Sequence, residues 1–330
     1  MLTVVTGAAG FIGSRLVAAL NARGVHEILA VDDLSGREGD NARNLFALEI
    51  QDYMDKREFL TRVSSGSFDG AVEAVLHQGA CTNTLEPDGQ YMMENNYAYS
   101  KALLDWCQDE GVPLVYASSA SVYGAGRESR EERACERPLN VYAYSKLLFD
   151  RYVRQRLEGG TAQVAGLRYF NVYGPNEGHK RKTGMHSIAL QAYEQFAARG
   201  HVELFAGCDG YADGEQRRDF IHVDDAVAVN LWLLENRDVS GIFNCGTGRA
   251  QSFNEVAAAV INTVRGEGSS IEELQDRQMI RYKPFPDKLK GKYQSFTQAD
   301  LGRLRGAGYG GAFRPVERGV AEYVRELMKP

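Results

Sequence analysis

The sequence predicts an α/β protein built on a doubly wound parallel sheet, with a smaller α/β region toward the C-terminus. Short runs rich in valine, isoleucine and leucine recur in the first half of the chain, separated by segments with helical periodicity such as SRLVAALNARG. Strands that alternate with helices in this way form βαβ units with parallel strands. A glycine-rich turn, TGAAGFIG, directly follows the first run. The predicted strands cover residues 2–6, 27–32, 72–77, 113–117 and 163–169.

The composition is that of an ordinary globular protein. Hydrophobic residues make up 44% of the 330 positions, the formal net charge is −6, and the basic residues are scattered. A surface that binds nucleic acid is therefore not expected. The chain opens on MLTVVTGAAG and has no long apolar run, so neither a secretion signal nor a membrane span is predicted.

The cysteines argue against a disulfide framework. They are odd in number, widely spaced and never arranged as CxxC, which also argues against a zinc site; no metal is predicted. Such usage is typical of a reducing compartment, so we expect a cytoplasmic protein. The five are Cys81, Cys107, Cys135, Cys208 and Cys245.

The glycine-rich turn predicts a dinucleotide site of the Rossmann type. Gly7, Gly10 and Gly13 lie between a predicted strand and a predicted helix, where a pyrophosphate can approach the backbone at the helix N-terminus. The next strand ends at Asp32, where a carboxylate can accept the adenosine ribose hydroxyls, which favours NAD.

Three basic residues follow that strand. Arg37, Arg43 or Lys56 could instead neutralise the 2′-phosphate of NADP. The choice between NAD and NADP stays open on these residues.

The strand–helix alternation weakens after RYFNVYGP, where glycine-rich loops and a helix near residues 186–199 follow. We therefore expect two domains. Residues 1–174 and 219–249 are predicted to form the dinucleotide-binding Rossmann domain, and residues 175–218 and 250–330 the substrate-binding domain.

Proton-transfer chemistry is indicated by NVYAYSKLLFD, in which Tyr142 and Lys146 are four residues apart and share a helix face. A nearby ammonium stabilises a phenolate and so brings a tyrosine into range as an acid or base. Upstream, the predicted strand ends in the hydroxyls of Ser118, Ser119 and Ser121, any of which could hydrogen-bond the oxygen of a carbinol.

The loop GPNEGHKRKTG, residues 174–184, concentrates positive charge between glycines. Taken alone, such a stretch is most often a solvated loop. A phosphate contact and a proton-transferring lysine are the two alternatives.

Three motifs together resemble the extended short-chain dehydrogenase/reductase family: GxxGxxG at the start, SSxxVYG in the middle and YxxxK after it. The resemblance covers essentially the whole chain and implies an NAD(P)-dependent enzyme that acts on nucleotide sugars. Dehydratases of this family carry an acidic pair in the segment equivalent to SSASVYG. No acid stands there in this sequence, so water elimination is not expected.

Longer strings narrow the resemblance to epimerases that invert C6″ of ADP-heptose for the lipopolysaccharide core. The resemblance implies oxidation at C6″ with tightly held NADP, reorientation of the keto intermediate, and reduction on the opposite face. The strings are HQGAC, DGQYMMENNY, PLNVYAYSKLLFD, RYFNVYGPNEGHK, GIFNCGTGRAQSFNEVA and YKPFPDKLKGKYQSFTQADL.

By this resemblance two acid/base groups, Tyr142 and Lys180, serve the two faces of C6″. Lys146 supports Tyr142 and contacts the ribose, and Ser119 holds the reacting oxygen. Arg181 and Lys182 adjoin Lys180, and positive neighbours lower the pKa of a lysine. Two alternatives remain: an epimerase that acts at C4 of another nucleotide sugar, and a non-catalytic NAD(P)-binding regulator.

Further contacts follow from the resemblance position by position. Those to the cofactor are Gly7, Gly10, Phe11, Ile12, Gly13, Asp32, Asp33, Lys56, Gln78, Gly79, Ala80, Cys81, Thr82, Asn95, Lys146 and Val172. Those to the substrate are Asn171, Gln191, Phe205, Ala206, Gly207, Cys208, Arg218 and Tyr293. A guanidinium such as that of Arg218 is a good bidentate partner for a pyrophosphate.

The sequence departs from the family pattern at a few positions. Asp33 stands where an asparagine is expected, so NAD remains possible beside NADP. Gln191 stands where a histidine is common, and the loop over residues 181–187 is about two residues longer than in the family. The resemblance also implies a homo-oligomer, with pentamers known in the family.

Overall fold

Parallel strands form the central sheet of the computed structural model, which describes residues 1–35, 40–287 and 293–329. Within these residues the strands are β1 (Leu2–Thr6), β2 (Ile28–Asp32), β3 (Asp52–Asp55), β4 (Val72–His77), β5 (Leu114–Ser119), β6 (Val164–Tyr169), β7 (Asn171–Tyr173), β8 (Val202–Phe205), β9 (Arg217–His222), β10 (Gly241–Cys245), β11 (Ala250–Ser252) and β12 (Ile280–Lys283). Seven of them pair in the order β10-β6-β5-β4-β1-β2-β3, and all neighbours run parallel. This confirms the predicted doubly wound sheet.

Helices cover both faces of this sheet. The α-helices of the described residues are α1 (Phe11–Asn21), α2 (Lys56–Ser64), α3 (Gly89–Met93), α4 (Tyr99–Asp109), α5 (Val141–Leu157), α6 (Ile188–Arg199), α7 (Val223–Glu235), α8 (Phe253–Arg265), α9 (Ile271–Asp276), α10 (Gly302–Gly306) and α11 (Val316–Leu327). Successive side chains of β1 point to opposite faces, so Val5 packs in one hydrophobic cluster with α1 and α7, while Val4 packs in another with α2, α4 and α5.

The strand order reverses between β1 and β4. Ligands of open parallel sheets bind at such a switch point, beyond the carboxyl ends of the strands. The glycine-rich turn after β1 and the residues after β4 meet there: a Cβ on Gly7 would lie 2.7 Å from the backbone nitrogen of Gly79.

Two smaller sheets lie C-terminal to β6 in the chain. One has the order β11-β9-β7, and the other pairs β12 with β8. A separate hydrophobic cluster joins them to α6, α8 and α11 through side chains such as Leu190, Val260 and Val320. Within the segment 219–249, β10 joins the large sheet beside β6, whereas β9 pairs in a small sheet. The domain boundaries given above stay a prediction.

Candidate active site

A cavity of about 720 Å³ opens at the carboxyl ends of the central strands. Its other side is closed by residues of the C-terminal part of the chain, which contains the two smaller sheets. It brings together the predicted site residues from both parts of the chain. They are Gly7, Gly10, Phe11, Ile12, Gly13, Asp32, Asp33, Lys56, Gln78, Gly79, Ala80, Cys81, Thr82, Asn95, Ser119, Tyr142, Lys146, Asn171, Val172, Lys180, Gln191, Phe205, Arg218 and Tyr293. Three further predicted substrate contacts, Ala206, Gly207 and Cys208, adjoin Phe205 but do not line the cavity.

The glycine-rich turn has the shape that a pyrophosphate requires. Gly7 has φ +66°, and a Cβ on Gly13 would lie 2.0 Å from the Gly7 carbonyl oxygen. Gly10 begins α1 without a side-chain cap, and the first turn of α1 carries no acidic residue. The positive end of the helix therefore faces the cavity uncompensated, which fits the phosphates of a dinucleotide.

The carboxylate of Asp32 is fixed by the backbone around it. Its Oδ2 accepts a hydrogen bond from the Ala9 amide at 2.7 Å, and its Oδ1 accepts one from the Asp33 amide at 2.7 Å. Asp32 thus joins the end of β2 to the glycine-rich turn and still lines the cavity, where it can meet ribose hydroxyls.

Asp33 is paired with a lysine. Its carboxylate lies 3.0 Å from the Lys56 ammonium, which also donates to Asn95 Oδ1 at 2.9 Å. Although burial alone would raise it, hydrogen bonds from Ser35 and Lys56 hold the pKa of Asp33 well below its usual range. The one lysine placed for a 2′-phosphate therefore already has a carboxylate partner.

Of the two arginines considered beside Lys56 for a 2′-phosphate, Arg43 lies within the described residues. Arg43 is exposed and pairs with Asp40 at 2.7 Å, away from the cavity lining. Arg37 lies outside the described residues.

Tyr142 and Lys146 lie on the first turns of α5, whose N-terminus is capped by the Asn140 side chain. Lys146 is only 4% exposed, and its ammonium donates to the Ala117 carbonyl oxygen at 2.8 Å. Burial lowers the pKa of Lys146 to about 8, against the opposing charge of Asp150. A buried positive charge thus stands on the same helix face as the Tyr142 phenol.

Ser119 ends β5 at the same cavity. Its Oγ accepts hydrogen bonds from the Ser121 amide at 3.2 Å and from the Ser121 hydroxyl at 2.9 Å. These two contacts orient Ser119 toward the cavity beside Tyr142 and Lys146. Ser118 is buried and also lines the cavity.

Lys180 is on a short 3-10 helix, Gly178–Thr183, that follows β7. The side chain is partly buried, and its ammonium lies over the Phe11 ring, 5.3 Å from the ring centre. Arg181 forms an ion pair with Glu194, and neither Arg181 nor Lys182 lines the cavity. Lys180 is thus the cation of this loop that reaches the glycine-rich turn.

The far end of the cavity is aromatic and basic. Arg218 is buried, and its guanidinium carbon lies 4.7 Å from the centre of the Tyr293 ring. Burial lowers the pKa of Arg218, but a guanidinium keeps its charge at neutral pH, so a buried positive charge faces this end. The Gln191 amide donates to the His186 carbonyl oxygen at 2.9 Å. Anionic and planar groups of a ligand fit such a surface.

Two residues in or next to the site were not predicted from the sequence, Glu177 at the cavity and His77 beneath Thr6. His77 is buried between the hydroxyls of Thr6 and Ser100, at 2.6 and 2.8 Å, and burial with the charge of Lys146 lowers its pKa to about 3. Glu177 is buried beneath the loop of Lys180. Both belong to strings that were recognised, His77 as the first residue of HQGAC and Glu177 within RYFNVYGPNEGHK, so their place in those strings was the available signal.

Comparison with known proteins agrees with this geometry. The model of the NAD dependent epimerase/dehydratase family matches residues 3–246. The chain belongs to this family. Members of the family bind a nicotinamide dinucleotide, which the glycine-rich turn fits.

Several relatives match the chain over nearly its whole length. It is 56% identical over 331 residues to the ADP-L-glycero-D-manno-heptose-6-epimerase of Thiobacillus denitrificans, covering 99% of this chain and 98% of that one. The crystal structure of the Helicobacter pylori ADP-L-glycero-D-manno-heptose-6-epimerase superimposes with a TM-score of 0.80 at 26% identity, covering 99% and 96%. The UDP-glucose 4-epimerase of Thermus thermophilus in complex with NAD gives 0.75 at 26% identity, covering 98% and 99%.

Three further features bear on the kind of site. Among residues 1–35, 40–287 and 293–329 no helix is long and apolar enough to span a membrane. Within the same ranges no cluster of three or more His, Cys, Asp or Glu side chains could hold a metal ion. All five cysteines are free thiols.

Proposed function

We propose that this protein is an isomerase that inverts C6″ of ADP-D-glycero-β-D-manno-heptose to give the L-glycero epimer. The relative that is 56% identical over the whole chain carries this activity in its name. The observation that supports it from the site is that Lys180, on the loop after β7, lines the same cavity as Tyr142 and Lys146 of α5. The product is a precursor for lipopolysaccharide core synthesis.

A bound nicotinamide would supply both the oxidation and the reduction at C6″, so that the reaction has no net redox change. The residues that would hold the dinucleotide are the glycine-rich turn, Asp32, Asp33, Lys56, Gln78 to Thr82, Asn95, Lys146 and Val172. The chain's own task is to bind and orient the sugar, exclude water, and move protons at the C6″ oxygen.

Two proton-transfer groups meet a geometric requirement of the reaction. Inversion needs hydrogen to leave one face of C6″ and return to the other, and an acid/base group fixed on one side suits only one of these halves. The Oη of Tyr142 takes or gives the proton in one half, and the Nζ of Lys180 does so in the other. Phe11 holds the Lys180 ammonium at the glycine-rich turn.

The neighbours of Tyr142 adjust its chemistry. The buried ammonium of Lys146 favours the phenolate form of Tyr142, because an opposite charge stabilises the ionised phenol. Ser119, oriented by Ser121, donates its hydroxyl hydrogen to the C6″ oxygen. Substrate contacts are proposed for Asn171, Gln191, Phe205, Ala206, Gly207, Cys208, Arg218 and Tyr293, with Arg218 at the pyrophosphate.

For the cofactor we propose NADP, with NAD as the alternative. Lys56 is placed for a 2′-phosphate, while its ion pair with Asp33 favours the ribose hydroxyls of NAD. Mass spectrometry of the nucleotide released from denatured protein tests this. A mass equal to that of NAD would contradict the NADP proposal.

Location and assembly are proposed from the family. We expect the enzyme in the cytoplasm, where nucleotide sugars are made, and as a homo-oligomer, with a pentamer as the specific expectation. Sedimentation velocity of the purified protein measures the assembly. A monomer would contradict it.

The test of the function is conversion of purified ADP-D-glycero-β-D-manno-heptose, followed by nuclear magnetic resonance at C6″. We expect inversion at C6″ by the parent protein and a loss of about 100- to 10,000-fold in rate for Lys180→Ala, the usual contribution of a general acid/base. Inversion at C4 of another nucleotide sugar, with Lys180→Ala nearly as active as the parent, would identify the C4 epimerase instead. If no sugar nucleotide is converted, the result would favour the remaining alternative, a non-catalytic NAD(P)-binding regulator.

A further inference from the structure

A buried carboxylate lies beneath the loop that carries Lys180. Glu177 is 1% exposed, although it belongs to the basic, glycine-bounded stretch 174–184. Its Oε1 accepts hydrogen bonds from the Gly174 amide at 3.3 Å and from the Ser187 hydroxyl at 2.7 Å. Its Oε2 accepts one from the Ser187 amide at 2.5 Å.

A fourth donor comes from the C-terminal helix. The buried Tyr323 hydroxyl of α11 bonds to the same carboxylate; burial first, and this acceptor with it, raises the pKa of Tyr323. An ionised carboxylate has about four acceptor positions and no donor. Four donors therefore match Glu177 as a carboxylate, and a side chain that itself carries N–H groups does not fit.

The donors other than Tyr323 lie at the two ends of one loop. Gly174 precedes the 3-10 helix of Lys180, and Ser187 caps the N-terminus of α6 after it. The Glu177 carboxylate thus joins the two ends of residues 174–187 by hydrogen bonds and closes this segment into a hydrogen-bonded ring. Within the ring the Lys180 amide donates to the Glu177 carbonyl oxygen at 3.0 Å, and the Met185 amide donates to the Lys180 carbonyl oxygen at 3.2 Å.

The other side of this hydrogen-bonded ring is linked by hydrogen bonds to the glycine-rich turn and to α1. Asn44 donates from Nδ2 to the carbonyl oxygens of Ala9, at 2.9 Å, and of Asn176, at 3.0 Å. Asn176 in turn donates to the Ser14 hydroxyl of α1 at 2.9 Å. The loop is therefore held from beneath by Glu177 and from the side by the glycine-rich turn, and Lys180 projects between these two anchors.

We propose that Glu177 is a positioning residue, which fixes the distance and orientation of the Lys180 ammonium relative to the glycine-rich turn. This inference rests on the proposed function, because it assigns Glu177 to the proton-transfer step of Lys180. Glu177 borders the cavity, but its carboxylate is engaged by donors of the loop and of α11, and we assign it no contact with the sugar or the dinucleotide. Its effect on the rate passes entirely through Lys180.

The first experiment replaces the carboxylate by an amide of the same size. In Glu177→Gln the amide N–H groups face the donors of Ser187 and Gly174, so the ring loosens and Lys180 shifts. A displacement of about 1 Å can cost about 100-fold in rate. We expect kcat for C6″ inversion to fall by about 10- to 100-fold, with KM for the sugar nucleotide and the content of bound dinucleotide close to those of the parent. The thermal midpoint should fall, because buried donors lose their acceptor.

The matched control is Glu194→Gln. Glu194 also pairs with this loop, through Arg181 and His186, but it is half-exposed. Exposed ion pairs contribute little, so kcat should stay within about twofold of the parent. If Glu177→Gln instead keeps the parent kcat, or loses bound dinucleotide together with kcat, the positioning role is contradicted.

A double-mutant cycle then separates this role from a general structural one. If Glu177 acts only through Lys180, adding Glu177→Gln to Lys180→Ala should cause no further loss. Independent losses that multiply would overturn the inference. If Lys180→Ala itself is fully active, the proposed role of Lys180 fails, and the inference fails with it.

A milder variant covers the case in which Glu177→Gln does not fold. Tyr323→Phe removes one of the four donors and leaves the carboxylate in place. It should lower kcat by a smaller factor, about 2- to 10-fold, and this loss should also vanish in the Lys180→Ala background. A loss that persists there would contradict the proposal.

Discussion

Lys146 holds a positive charge where burial opposes it. Its pKa is lowered to about 8, whereas an unfolded lysine titrates near 10.4. Between about pH 8 and 10.4 the unfolded chain therefore binds more protons than the folded one, and the free energy of unfolding rises with pH across this window. At pH 7 the charge is retained at a cost in stability, and the role proposed for Lys146 beside Tyr142 accounts for its presence.

Replacement of this lysine should separate stability from activity. Lys146→Met keeps the apolar stem and removes the buried charge, so its thermal midpoint at pH 7 should be no lower than that of the parent. Its midpoint should also lack the rise between about pH 8 and 10.4, while the rate of inversion falls by at least about 100-fold. Thermal unfolding at several pH values, with the rate at pH 7, measures both. A variant that is less stable yet fully active would contradict this account.

Individual site residues could be predicted where a spacing has a chemical meaning. The four-residue step from Tyr142 to Lys146 puts both on one helix face, and both line the cavity. Glu177 could not be predicted in this way. Its partners at Ser187 and Tyr323 lie 10 and 146 residues further along the chain, and no local pattern reveals such contacts.

The turn between β1 and α1 is an element whose geometry leaves no room for a side chain. Gly13→Ala would put a methyl group 2.0 Å from the Gly7 carbonyl oxygen, and backbone cannot move that far without opening the turn. We expect the alanine variant to lose bound dinucleotide and several degrees of thermal midpoint. Gly306→Ala is the control, because nothing lies within 4 Å of its added methyl group and its φ is ordinary. Absorbance of the bound nucleotide and thermal unfolding compare the two; equal behaviour would contradict the close packing of the turn.

Elements of the large sheet were predictable because they are continuous apolar runs. β1, β4 and β6 lie where the sequence predicts strands, with β4 and β1 matching in every residue. β3 was not predicted: its residues DYMD are mostly polar, and only Met54 is buried, since β3 lies at the edge of the sheet. β7 and β11 have three residues each and depend on pairing with the distant β9, so periodicity cannot reveal them.

On the scale of the whole molecule, the fold brings to one cavity two side chains from different elements for which we propose proton transfer. Tyr142 is fixed by α5, which packs against the central sheet, and Lys180 by a loop that follows β7 and is closed at α6. The resemblance to a family, rather than periodicity, indicated that these residues act together. Tyr142 and Lys180 line the same cavity, which supports that pairing.

The central claim is that Tyr142 and Lys180 serve opposite faces of C6″. It is tested most directly by mixing Tyr142→Phe and Lys180→Ala with each of the two C6″ epimers of ADP-heptose and recording the near-ultraviolet absorbance that accompanies substrate oxidation. We predict that each variant oxidises one epimer and not the other, and that the two variants show opposite preferences. The account would be contradicted if both variants failed to oxidise the same epimer, or if Lys180→Ala oxidised both epimers.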